Sequence, residues 1–130
     1  MTDATIEFAE TSYGDTVVLS PKGRLDQETS KSFQEQLLAM IADRSTDRAN
    51  LILDMSGVNY ISSIGLRALM IVAKQCSAGN GQLALANLSP VVVEIFEISR
   101  FNLIISTFDE IRSAIAEIAP DALSAYDSES

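Results

Sequence analysis

Two adjacent serines, Ser62 and Ser63, stand where an apolar stretch gives way to a helical pattern, and their hydroxyls are the groups in this chain best placed for chemistry. What they can do is limited by what is missing. The 130 residues include no histidine, so Ser-His-Asp and Cys-His systems lack the imidazole that takes the nucleophile's proton. Zinc and iron lose their commonest side-chain ligand for the same reason. Lys22, Lys31 and Lys74 follow no motif that sets an amine beside a serine, and the carboxylates show no clustered metal-ligand spacing. Gly79-Asn80-Gly81 does not continue as a dinucleotide fingerprint, and no glycine-rich loop ends in Gly-Lys-Ser/Thr. The serines therefore read as groups acted upon. Neither a catalytic role nor a cofactor is expected.

The segment from Asp54 to Leu66 joins a short apolar run to a helix through a stretch rich in Ser, Asn and Gly that includes Ser56. The first turn of a helix leaves four backbone donors unpaired and carries partial positive charge, so a phosphate on a serine there is stabilised twice over. Arg67, four residues after Ser63, can pair with it. A plainer use of the same residues is helix capping, since serine is a preferred N-cap. Ile64, Ala68 and Ile71 form a second stripe on this helix, which either contacts a partner around Ser63 or packs against a neighbouring helix.

The elements that must position these residues follow from periodicity. Ile6 and Phe8 alternate with polar neighbours, and after the Tyr13-Gly14-Asp15 turn Thr16 to Pro21 reads as a second strand, giving a hairpin. Asp26 is a plausible cap for a helix carrying Phe33, Leu37 and Ile41, and the polar stretch Arg44 to Asn50 separates it from the buried-type strand Leu51 to Met55. Val58 to Ile61 reads as a passage to the helix of roughly Ser63 to Ser77. A strand is expected at Gln82 to Ala86, a helix from Pro90 to about Ile98, a last strand at Leu103 to Ile105 and a helix from Asp109 to Ile118. The fold expected is α/β: one domain over residues 1–119 with a mixed sheet of four to five strands and about four helices packed on it. Residues 120–130 read as an acidic, flexible tail.

Totals agree with one domain. The net charge is −9, with only nine basic residues scattered along the chain, which argues against nucleic acid and against a membrane surface. No apolar run reaches the ~18–20 residues of a membrane span, and the first ten residues lack the pattern of a secretory signal, so the expected compartment is the cytoplasm. The single cysteine, Cys76, fits a core position in a reducing compartment.

The central segment resembles the signature of the STAS family, the sulfate-transporter and anti-sigma-factor-antagonist domains, through Asp54, Val58, Ile61, Ser62, Ser63, Gly65 and Leu66. Gly23-Arg24-Leu25-Asp26 is similar to the family's entry to its first long helix. The resemblance implies a bacterial anti-sigma factor antagonist. Unphosphorylated, it would bind a serine-kinase anti-sigma factor and free a sigma factor; phosphorylation of the helix-start serine would end binding, and a metal-dependent serine/threonine phosphatase would reset it. By position before the glycine, Ser63 matches the phosphoacceptor, with Ser62 the second choice. Asp26 and Asp54 are carried over as residues lining the switch loop, although each also has a plain role in capping or turn formation. The alternative within the same family is a subunit of a signalling assembly, or a regulator attached to a lipid transporter, with no phosphorylation switch.

Overall fold

The computed structural model describes residues 7–43 and 50–129. Ile6 and the stretch 44–49, both invoked above, lie outside the described residues.

Strand β1 (Glu7–Tyr13) turns back at Gly14 into the ten-residue β2 (Thr16–Leu25), with Tyr13 opposite Thr16. Gly14 has φ +62°, the conformation that a two-residue hairpin turn requires at its first central position. Helix α1 (Ser30–Asp43), β3 (Asn50–Asp54), β4 (Gly57–Ile61) and α2 (Ser63–Ala78) follow, then β5 (Leu83–Ala86), α3 (Pro90–Ser99), β6 (Ser106–Phe108), α4 (Ile111–Ile118) and α5 (Leu123–Glu129). The sheet runs β1-β2-β3-β5-β6, with β4 paired to β2 beside β3. β1 is antiparallel to β2, and the other pairings are parallel. The expected class, a mixed sheet under helices in a single α/β domain, is what forms, with six strands and five α-helices among the described residues.

Alternation along the strands divides the core. Val17 and Leu19 of β2 point to the face covered by α1, α2 and α3, where Phe33, Leu69 and Phe96 are buried. Val18 and Ile52 point to the other face, under Ala114, Ile115 and Ile118 of α4. No helix among the described residues is long and apolar enough to cross a membrane.

Four local expectations differ from the structure. β2 does not stop at Pro21. Its partner β3 reaches Leu19 and β4 takes over from Lys22, so Pro21 falls at the handover, where a missing N–H breaks neither ladder. Val58 to Ile61 is a strand. Val58 pairs with Gly23 and Tyr60 with Arg24, leaving Asn59 as an extra residue that shifts the alternation and lets both Val58 and Ile61 point inward. The expected strand at Leu103 to Ile105 is instead a 3-10 turn over Phe101–Leu103 followed by β6. Of that apolar run only Ile105 is buried. Finally, residues 120–129 are helical: Pro120–Ala122 is a 3-10 turn, Ala122 is buried and α5 packs against β1 and α4. The Tyr126 ring meets Tyr13 edge-on at 5.2 Å, and Asp127 bridges Arg112 at 3.1 Å.

Candidate functional site

The start of α2 separates the two serines by role. Ser62 is the N-cap, in extended conformation, and its hydroxyl accepts the Gly65 N–H at 3.2 Å. Its own N–H donates to the Leu25 carbonyl at 2.8 Å, fastening the helix start to the end of β2. Gly65 makes that approach possible: a Cβ there would lie 2.7 Å from the Leu25 oxygen and 2.9 Å from Ile61 Cγ2. Ser63, the first helical residue, is exposed. Arg67 is exposed one turn on, Ile64 is 46 % exposed and Ile71 is half-buried. Ala68 is buried in the core, so the proposed stripe presents Ile64 and Ile71 to the outside without it.

A second group adjoins this start through Leu25. Arg24 lies over the Tyr60 ring, 4.5 Å from its centroid, and its Nε is 3.7 Å from Asp26 Oδ2. Asp26 does not open α1 itself. It closes the preceding turn, its Oδ1 accepting the N–H groups of Glu28 at 3.0 Å and Thr29 at 3.2 Å, and α1 begins at Ser30. Desolvation pushes the Asp26 carboxyl upward, but the bonds from Glu28 and Thr29 and the nearby Arg24 charge outweigh it and hold the carboxyl below its ordinary value.

Asp54 belongs to a different cluster. Its Oδ1 accepts from the Ser56 N–H at 3.1 Å and from Asn87 Nδ2 at 3.1 Å, while its Oδ2 accepts from Ser20 Oγ at 3.3 Å. One carboxylate thus ties the middle of β2 to the ends of β3 and β5. Partial burial raises its pKa, and the bonds from Asn87, Ser56 and Ser20 more than reverse that, leaving it lowered. Ser56 is exposed and contributes its backbone to this tie. Cys76 is buried, and burial pushes its thiol up to about 12, so it is an inert core group.

Among known families, the model of the STAS domain matches residues 8–114. The chain belongs to the STAS domain family. A protein of Bordetella bronchiseptica named as an anti-sigma factor antagonist, BtrV, is 38% identical over 80 residues, covering 62% of this chain and 66% of that protein. In structure, this STAS domain is similar to an anti-sigma factor antagonist of Thermotoga maritima (TM-score 0.76, 22% identity, covering 85% of this chain and 93% of that one). It is also similar to the phosphorylated form of SpoIIAA, a Bacillus cell fate determinant (TM-score 0.61, 17% identity, 84% and 96% covered). At these identities the structural likeness establishes the fold.

In this STAS domain the sequence did not single out Arg24 and Tyr60 beside the helix start, or Ser20 and Asn87 around Asp54. The bulge at Asn59 that sets Tyr60 opposite Arg24 leaves no periodic mark. Asn87 carries one legible signal, an asparagine just after a buried strand, a residue type that tolerates its observed φ of +59°.

Proposed function

We propose that this STAS domain is an anti-sigma factor antagonist that acts in the cytoplasm by partner switching, with Ser63 as the phosphoacceptor. The observation that carries the reading is the division of labour at α2: the Ser62 hydroxyl is occupied as a cap, and Ser63 is exposed at the first helical position. A serine-kinase anti-sigma factor would transfer the γ-phosphoryl group of ATP to Ser63 Oγ, leaving ADP and a proton. A metal-dependent serine/threonine phosphatase would hydrolyse the ester to serine and inorganic phosphate. The name of BtrV and the phosphorylated form of SpoIIAA support this reading.

Within the chain the phosphate would be welcome, because it adds about −1.5 to −2 charge where the helix start is positive and Arg67 lies one turn on. Against a docked partner it would not. Ile64 is exposed next to Ser63, and a surface covering it would have to bury the new charge. The same group thus leaves the fold intact and ends the contact.

The test is affinity capture from the native cytoplasm, comparing the parent chain with Ser63→Asp. A kinase-like protein retained by the parent and lost with the variant is expected. If that purified kinase phosphorylates Ser63→Ala as efficiently as the parent, Ser63 is not the acceptor. Transporter components captured equally by both forms, with no phosphate on the native protein by mass spectrometry, would replace the switch with a structural role.

A further inference from the structure

Six large hydrophobic side chains stand exposed among the described residues, and all but Ile64 fall in one stretch: Val91, Val93, Ile98, Leu103 and Ile104. Helix α3 buries only Val92 and Phe96 of its ten residues. Single exposed apolar residues are ordinary, whereas a run of them in one segment marks a surface that another molecule covers. Ile98 and Leu103 are the extremes, at 77 % and 76 % exposure.

Charge decides what could cover it. Val91 and Ile98, seven positions apart, share one flank of α3, and Val93 lies on the other. Between the flanks runs an outer ridge carrying Glu94 and Glu97, both exposed and neither in an ion pair of the described residues. Arg100, the one basic residue between positions 90 and 104, sits past the helix end in left-handed conformation. On the Val93 side a cavity of about 390 Å³ is lined by Leu88, Val93, Thr107, Phe108 and Asp109. A mixed lining, with Leu88, Val93 and Phe108 beside the Asp109 carboxylate, suits a lysine or arginine, whose aliphatic stem packs while its charged head meets the acid.

We propose that α3 and the turn after it form a second docking face, whose occupant is an amphipathic helix of another protein with lysine or arginine along the edge of its apolar stripe. The stripe covers Val91 and Ile98, and the basic edge lies along Glu94 and Glu97. A second copy of this chain would bring the same acidic ridge and a net charge of −9 to the contact. An anionic lipid surface would be repelled likewise. This face goes beyond the phosphorylation reading and does not depend on Ser63.

The probe is a synthetic amphipathic helix of leucine and lysine, titrated into the isotope-labelled full chain and followed by amide chemical shifts. Shifts concentrated between residues 88 and 109 are expected, with binding at least about tenfold weaker for the matching leucine–glutamate peptide, because paired rim charges set partner choice. Ile98→Ser with Leu103→Ser should abolish binding of both peptides. Glu94→Lys with Glu97→Lys, which touches no buried residue, should reverse the preference between them, and Ser63→Asp should bind as the parent does. Equal affinity for the two peptides, shifts centred elsewhere, a dimer by sedimentation that Ile98→Ser dissociates, or recruitment to anionic vesicles would each overturn the proposal.

Discussion

Helices α2 and α3 begin alike and end up doing opposite things. Each follows a strand of the same sheet, and each is capped by a serine whose hydroxyl accepts the third helical N–H, Gly65 at 3.2 Å in one and Val92 at 3.4 Å in the other. At the first helical position α2 has Ser63, a hydroxyl facing solvent, while α3 has Pro90, which fixes its backbone and offers nothing to modify. At the third, Gly65 lets α2 press onto Leu25, and Val92 anchors α3 through a buried side chain. The aspartates divide in the same way. Asp26 adjoins the α2 start through Leu25, and Asp54 holds Asn87 just ahead of α3. A capped helix start is common property; what distinguishes these two is the residue on either side of the cap bond.

The largest effect should come from filling the space that only α2 requires. In Gly65→Ala the new methyl meets backbone and side chain under 3 Å, so overpacking of about 1–3 kcal/mol should exceed the gain of up to ~1 kcal/mol from helix propensity. Urea denaturation should show a clear net loss; unchanged or higher stability would mean that α2 is not clamped as described.

The caps come next. Ser62→Ala should lower stability by about 1 kcal/mol, and Ser89→Ala by less, because its bond is longer and Pro90 already sets the helical φ. Equal losses from the two would remove the distinction between the starts.

The smallest effect concerns pH. Because the folded pKa of Asp54 is lowered from 3.8, its contribution is complete above the unfolded value and is lost as pH falls through the folded one. Comparing Asp54→Asn with the parent, the difference in urea midpoint present at neutral pH should shrink below about pH 4. A difference that stays constant to pH 2 would show that the carboxylate's charge does not hold the β3–β5 tie.

Much of this was legible beforehand because burial leaves a period. Phe33, Leu37 and Ile41 announce α1, Leu51 to Leu53 announce a central strand, and Ser62 to Leu66 mark both a helix start and a family. What was not legible lies where the period is broken or where contacts are distant in sequence. The extra residue Asn59 hid β4, the handover at Pro21 hid the second half of β2, and the solvent-facing Leu103 and Ile104 imitated a buried strand. Nor could spacing reveal that Asp54 reaches Asn87, or that the Tyr13–Tyr126 contact seats α5 against the sheet.

The change of partners along β2 sets a distance as well as a register. Asp54 is bonded to Ser20, and Ser62 is fastened to Leu25 five residues farther along the same strand, roughly 16 Å at the usual rise per residue. That is about two screening lengths at physiological salt. The α2 start is thus set apart along β2 from the carboxylate that ties the middle of that strand to the ends of β3 and β5, and the groups that lower the Asp54 pKa, Asn87, Ser56 and Ser20, all lie outside α2.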